Sequence, residues 1–420
     1  MTVHPPLSAD RALAVRLFDQ LAEMSRDDPG VTRDAYGAGE QRAHDLMSKV
    51  AAELGLSCDV DAAGNLLLTL RGTEPNLPAW VVGSHLDSVP HGGNFDGAAG
   101  VVAGLAAISG LARAGRRPRR SVIVVVTRAE ESNWFPASYI GGRTLLGLLP
   151  AELLDLPRSD TGRPLRDHMR DLGLAPERVA RGERLLTPDR VHGFVETHIE
   201  QGPALEAERI PLGLVTGISG SFRYRKARCI GAYGHSGAVP RRYRHDAMFA
   251  VSDLIQSLDS LWSDLDSTGR TATITFGEVF TDATQHGFSK IPGELNFCLD
   301  VRSADVALLD EIHARMMTFI TAIEKTRGVR FALGEKTGSQ PATMDVELLR
   351  RLGTIADRLG IAYLSLPSGA GHDAAVFANA GIPTAMLFVR NQNGSHNPHE
   401  AMRIEDFHAA ATVLTHLVLE

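Results

Sequence analysis

Polar and apolar positions along this chain follow two textures. From residue 8 to 54 apolar side chains recur at helical spacing, which predicts two amphipathic helices separated by a Gly/Asp-rich connection. Asn65-Leu66-Leu67-Leu68-Thr69-Leu70 and Trp80-Val81-Val82-Gly83 read as strands, the second running straight into His85. A Gly/Ala-rich helix is expected at about 97–113, followed by the continuous β-branched run Val122-Ile123-Val124-Val125-Val126-Thr127. Such a run suits a strand buried on both faces of a sheet that helices cover. It would deliver Glu130 and Glu131 at its carboxyl end, where open α/β sheets bind ligands. Residues 150–190, rich in Pro, Arg and Asp, read as an insertion with a short helix near 162–172. Phe194 to His198 reads as another strand, and Gly202-Pro203 turns the chain into a short helix.

Near Gly213 the texture changes. Ser221 to Ala232 alternates like a half-exposed strand. A helix over 246–264, strands over 271–280 and 289–302 and a helix over 305–325 complete a β-α-β-β-α order. After about 330 the first texture returns, with a strand from Pro383 to Val389, then His396, then a helix over 404–419. The pattern predicts an α/β catalytic domain made of residues 1–212 and 327–420, with a smaller α+β domain, 213–326, inserted between its halves.

A length of 420 residues supports two domains, and 44% hydrophobic with 22% charged residues describes a globular protein. A net charge of −7 argues against nucleic acid, and the densest basic stretch, Arg116-Arg117-Pro118-Arg119-Arg120, reads as a helix-to-strand loop. Cys58, Cys229 and Cys298 share no close spacing, so neither a disulfide framework nor a thiolate zinc site is expected. Met1 to Pro6 lacks a basic segment leading into an apolar one, and no apolar run is long enough to cross a bilayer. The expectation is a cytoplasmic protein with no membrane or nucleic-acid partner.

Five short stretches end in side chains that bind metals: Ser84-His85-Leu86-Asp87, Asn94-Phe95-Asp96-Gly97, Ala129-Glu130-Glu131, Glu196-Thr197-His198 and Gly394-Ser395-His396. Taken singly, each has an ordinary structural explanation. As an ordered set they supply what a two-metal hydrolase needs: a carboxylate between the ions, His or carboxylate ligands, and a free carboxylate for the water. His85 and Asp87, two apart on a strand end, share a face, so Asp87 can hold the imidazole in one tautomer. Of the adjacent Glu130 and Glu131, one can be engaged by a cation while the other acts as a base.

With these stretches in order, the chain resembles the hydantoinase/carbamoylase family of amidohydrolases. That family includes N-carbamoyl-L-amino-acid hydrolases, β-ureidopropionases and allantoate amidohydrolases, relatives of the aminoacylase and carboxypeptidase-type di-metal peptidases. The likeness runs from about residue 10 to 420. Its most specific passages are Gly83 to Pro90, His198-Ile199-Glu200-Gln201-Gly202-Pro203, Pro367-Ser368-Gly369-Ala370-Gly371-His372-Asp373-Ala374 and Gly394-Ser395-His396. The resemblance implies a di-metal peptidase-like α/β catalytic domain, with a mixed sheet and helices on both faces, and an inserted α+β domain serving as lid and dimerisation unit. It implies two divalent ions, of Zn, Mn, Co or Ni, with His85 and His198 on different metals. Asp96 would bridge the ions, with Glu131 and His396 completing the shells. Glu130 would be the general base and Asp87 would orient His85. His235, in Gly234-His235-Ser236-Gly237, matches the residue that one subunit of a homodimer lends to the other's site for the oxyanion. Arg302 matches the arginine that pairs with a substrate carboxylate.

Three departures bear on the small anionic amide or ureide substrate. The Glu pair is followed by Ser132-Asn133-Trp134-Phe135 where the family usually has Gly-Ser-Arg-Phe. Ser221 and Ser289 stand at positions commonly Gln and Asn, and His286 has no counterpart. Fewer amide donors and an apolar wall at Trp134 favour a bulkier, more apolar substrate than allantoate. The expected reaction is hydrolysis of an N-carbamoyl-L-amino acid. Its alternatives are allantoate or another small amide or aromatic amine, a dipeptide, or no chemistry at all in a metal-binding regulatory protein.

Overall fold

The continuous β-branched run becomes the strand Val122–Thr127, buried at nearly every position. In this computed structural model, which describes residues 6–420, it lies inside a nine-stranded mixed sheet. Residues 1–5, and with them most of the N-terminal reading, lie outside the described residues. Across the sheet the order is Ser57–Val60, Leu66–Leu70, Val122–Thr127, Ala79–His85, Val191–Ile199, Thr384–Val389 and Leu212–Ile218; Ala342–Thr343 and Tyr363–Ser368 both pair with the last. The four inner strands from Val122–Thr127 to Thr384–Val389 run parallel, so their carboxyl ends share one edge.

Helices cover both faces, and the strand Val191–Ile199 shows how. Its odd positions, Val195 and Ile199, join the core around the helix Ala98–Arg113. Its even position Phe194 stacks on Phe377 of the helix Asp373–Asn379, ring centroids 3.8 Å apart. Period-two alternation therefore sorts one strand between two cores. The Gly/Ala richness of Ala98–Arg113 has a reason too: buried for almost its whole length, the helix lies so close to the sheet that a Cβ on Gly100 would meet the Thr197 carbonyl.

Two compact units emerge from the contacts: residues through Thr216, Thr343–Leu366 and His372–Glu420 in one, Gly217–Ala342 and Pro367–Gly371 in the other. The second unit is a six-stranded antiparallel sheet centred on Gly220–Ile230 and Glu294–Ser303. The latter alternates strictly, burying Leu295, Phe297, Leu299 and Val301 against the helices Ala247–Ser267 and Val306–Arg327. Both helices start at an Asp, Asp246 and Asp305, whose carboxylate accepts from the first free N–H groups. The second unit extends past residue 326, the boundary expected from periodicity, because Arg330–Ala332 and Lys336–Ser339 both pair with Gly220–Ile230. The expected strand over 271–280 is two pieces, Thr273–Thr275 and Val279–Thr281, and Ser57–Val60 and Leu212–Ile218 are strands that the pattern did not predict. Among the described residues no helix is long and apolar enough to cross a membrane.

Gly97 joins fold to site. It caps the helix Ala98–Arg113 at φ 65°, and a Cβ there would run into the His85 ring. Gly55, at φ 68° after the helix Ala38–Glu53, has nothing near its missing Cβ. Gly55→Ala should therefore cost only the left-handed strain, about 1–2 kcal/mol. Gly97→Ala should add overpacking, for about 2–5 kcal/mol in all. Urea unfolding of both variants checks this, and equal losses would disprove the contact.

Candidate active site

Because the inner strands are parallel, the turns after His85, Thr127 and Ile199 and the loop after Val389 all leave the sheet at one edge. The strand ends themselves carry His85 and His198, the segments that follow carry Asp87, Glu130, Glu131 and His396, and Asp96 comes from the loop in front of Ala98–Arg113. Several residues at this edge hold left-handed backbone without being glycine, among them Ala129 (φ 48°), Gln201 (φ 62°), Asn393 (φ 65°) and His396 (φ 59°). Strain of this kind persists where the surroundings over-determine it. At Ala129 the restraint is visible, since its N–H donates to Glu40 (2.9 Å) and its carbonyl accepts from Ile140 (3.0 Å).

The Asp96 carboxylate stands between two groups of nitrogen and oxygen atoms. Its Oδ1 lies 3.2 Å from His198 Nε2 and 3.5 Å from His85 Nε2, and forms no hydrogen bond although buried. Its Oδ2 accepts from Gln201 Nε2 (2.7 Å) and the Ser395 hydroxyl, and lies 3.5 Å from His396 Nε2. His396 Nε2 is in turn 2.8 Å from Glu131 Oε1. The Nδ1 atoms of His85 and His198 face the Asp87 and Ile199 carbonyls at 3.1 and 2.9 Å, and Gly97 N–H points at His198 Nε2 (3.2 Å). With Nδ1–H donated, the Nε2 lone pairs converge on a carboxylate oxygen, an arrangement that only a cation or added protons can satisfy. Burial opposes charge on these rings, yet Asp87 and Asp96 beside His85, and Asp96 and Glu196 beside His198, hold both imidazoles above the ordinary range.

Ligand atoms from His85, Asp96 and His198 lie within 4.8 Å of one another, as do those from Asp96, Glu131 and His396. The donor set of imidazoles and carboxylates fits divalent cations. One expectation needs correction here. His85 and His198 were expected on different metals; instead both face the same Asp96 oxygen, because the neighbouring parallel strands Ala79–His85 and Val191–Ile199 end side by side.

Asp87 does two things. Its Oδ1 is 3.3 Å from His85 Nδ1, and its two oxygens accept the backbone N–H groups of Glu130 (3.0 Å) and Glu131 (3.1 Å). One carboxylate thereby sets the imidazole and the turn that carries the Glu pair. Glu130 Oε2 lies 4.0 Å from His85 Nε2. Burial pushes its carboxyl well above the usual range; His85 opposes the shift, and Glu131, Asp373 and Asp87 add to it. The half-exposed His396 is raised to about 9, chiefly by its hydrogen bond to Glu131.

The remaining candidates lie on the second unit, Trp134 excepted. His235 is exposed, and its Nδ1 accepts from the Gly237 and Ala238 N–H groups (3.1 and 3.2 Å), so Nε2 carries the proton outward. Arg302 donates from Nε to both oxygens of Asp300, from Nη2 to Asp300 Oδ2, and from Nη1 to the Gly369 carbonyl (3.1 Å). Ser221 is its register partner across the sheet and is paired with Ser339. Ser289 is exposed beside His286, which bonds Thr281 and lines a cavity of about 410 Å³ with Tyr233, Phe288 and Lys290. Trp134 is not the open wall expected of it. The ring packs with Tyr36 and Phe135, its N–H donates to the Ser88 carbonyl (2.8 Å), and Arg158 covers its face. An indole with its donor satisfied and its face covered is a packing residue, and it acts here on the backbone beside Asp87.

Several site residues escaped the sequence reading. Glu196 accepts from Ser84 (2.6 Å) and Ala374 N–H (2.7 Å), and Asp373 accepts from Thr127 (2.5 Å); burial raises Asp373 to about 7. Glu400 accepts from the Phe95 and Asp96 N–H groups and from Ser395. Asp373 and Gln201 lay inside the specific passages quoted above. Glu40 looked like an ordinary first-turn helix acid, yet it binds Arg128 (2.8 Å) in full burial.

The profile of Peptidase family M20/M25/M40 matches residues 81–420. An N-carbamoyl-L-amino acid amidohydrolase of Geobacillus stearothermophilus is 35% identical over 96% of this chain and 97% of its own. An allantoate amidohydrolase of Escherichia coli is 32% identical over 90% and 89%. An amidase of the hydantoinase/carbamoylase family from Burkholderia multivorans superposes with a TM-score of 0.90 at 29% identity, covering 99% of this chain and 98% of its own. Together with the grouped imidazoles and carboxylates around Asp96, these matches establish that the chain belongs to Peptidase family M20/M25/M40 and, within it, to the hydantoinase/carbamoylase amidohydrolases.

Proposed function

We propose that this chain is a metal-dependent amidohydrolase that splits a non-peptide C–N bond, removing the carbamoyl group from an N-carbamoyl-L-amino acid. The observation that carries the reading is the Asp96 carboxylate, with one oxygen turned to His85 and His198 and the other to the side of Glu131 and His396. His85, Asp96 and His198 on one side, and Asp96, Glu131 and His396 on the other, would hold divalent ions, which when bound would polarise the scissile carbonyl and acidify water. Glu130, buried beside His85 yet in neither ligand group, takes the proton from the attacking water and returns it to the leaving nitrogen. Asp87 keeps Glu130, Glu131 and His85 in register. Support for His235 as oxyanion donor is its outward Nε2–H, preset by two backbone bonds to Nδ1. Arg302 receives the substrate carboxylate with the planar fork that Asp300 keeps oriented.

A homodimer fits this scheme, with the second unit of each subunit contributing His235 to its partner. Tyr243, Phe249, Val279, Phe280 and Phe288, all on that unit, expose large apolar side chains that a partner would cover.

These assignments can be tested in four ways. Glu130→Gln should lower turnover about 10²–10⁴-fold while metal analysis finds the ion content unchanged; loss of an ion would make Glu130 a ligand instead. Mixing His235→Ala with Glu130→Gln protein and exchanging subunits should restore part of the activity, and no rescue after verified exchange would remove the shared site. Arg302→Lys should cost on the order of 2–5 kcal/mol in kcat/KM if the ion pair is desolvated on binding, and little for a substrate whose carboxylate is an amide. A panel of N-carbamoyl amino acids, allantoate and dipeptides, assayed side by side, decides the substrate: an enzyme fastest on allantoate would overturn the carbamoyl assignment.

A further inference from the structure

Arg33 is fully buried, and it lies in the connection between the first two helices that the sequence left without a task. Its guanidinium spends its donors on one loop. Nε donates to the Leu86 carbonyl (2.6 Å), Nη1 to Asn94 Oδ1 (3.2 Å), and Nη2 to the Asn94 carbonyl at 3.4 Å and the Asp96 carbonyl at 3.5 Å. Leu86 follows His85, and Asp96 lies between both ligand groups, so one side chain ties together the two ends of the loop that separates them. The backbone of Arg33 is locked to the same loop: its N–H donates to Ser88 Oγ (2.9 Å) and its carbonyl accepts from Ser88 N–H (2.9 Å). Two residues back, Val31 and Gly92 exchange both backbone bonds, at 3.0 and 2.9 Å. Asp87, Asp96 and Glu400 surround the buried cation with negative charge.

We infer that Arg33 is a positioning residue for the metal centre: it braces the 86–96 loop so that His85 and Asp96 meet at the spacing an ion requires. This rests on the metal reading above. Only a guanidinium fits the task, because its planar fork reaches three carbonyls and an amide oxygen, whereas an ammonium offers one point. Partners that orient metal ligands without touching the metal typically contribute about 10–100-fold to affinity.

The test titrates chelator-stripped protein with Co(II) alone, reading bound ion by equilibrium dialysis and by its visible absorption, with urea unfolding run in parallel. Arg33→Lys should weaken Co(II) binding by about 10–100-fold and alter the absorption bands while the stripped protein stays folded. Asn94→Ala, which removes the Nη1 acceptor and a bond to the Phe18 carbonyl, should weaken binding several-fold, and the double variant should bind no worse than Arg33→Lys alone. If Arg33→Lys does not fold, Asn94→Ala decides. Wild-type affinity and spectrum in the folded variants, or an affinity loss that merely tracks the unfolded fraction, would overturn the inference. Wild-type protein that takes up no Co(II) would overturn the metal reading instead, and this inference with it.

Discussion

The carboxylates of Asp87, Asp96, Glu130, Glu131 and Glu400, with those of Glu196 and Asp373 beside them, lie buried at one edge of the catalytic sheet. Such a concentration of negative charge out of water is untenable unless each group meets a donor or a cation. Much of the surrounding structure answers that demand. Asp87 is met by two backbone N–H groups and His85, and Glu400 by two more and Ser395. Asp96 Oδ2 is met by Gln201 and Ser395. Asp96 Oδ1 is left facing two imidazoles with no hydrogen bond. A buried carboxylate oxygen facing two imidazoles in this way suits a cation.

The same demand explains why the backbone here departs from regular geometry. Ala129, Gln201 and His396 adopt left-handed angles, and Gly97 does so where no other residue would clear the His85 ring. Each departure aims a carboxylate, an amide or an imidazole at a point that a smooth turn would miss. The supports are themselves buried and polar: Glu40 with Arg128 under the Glu pair, Arg33 under the 86–96 loop. Removing one partner from such an arrangement would leave a buried charge stranded, at a cost of about 3–5 kcal/mol.

The second unit solves a simpler problem. Its sheet and two helices enclose their own apolar core, and its candidate site residues are set by short-range bonds: Gly237 and Ala238 to His235, Asp300 to Arg302. Local bonds of this kind preset a tautomer or a rotamer without any buried charge cluster.

Periodicity and motif order were enough to reveal the α/β texture, the change near Gly213, and the side chains His85, Asp87, Asp96, Glu130, Glu131, His198 and His396 as one candidate set. These features are local: a β-branched run, an Asp before a helix, a His at a strand end. The pairing of His85 with His198 on one Asp96 oxygen was not legible, because it depends on which strands lie side by side. Neither were Arg33, Glu40 and Glu400, whose stretches look like a connection, a helix start and a loop until the fold brings them beneath residues 53 to 305 positions away. Trp134 was misread for the same reason, since only packing decides whether an indole faces a substrate or a guanidinium. Sequence determined which chemistry the chain carries; tertiary structure decided which groups share an atom, because burial and hydrogen-bond geometry are properties of contacts between segments distant in sequence.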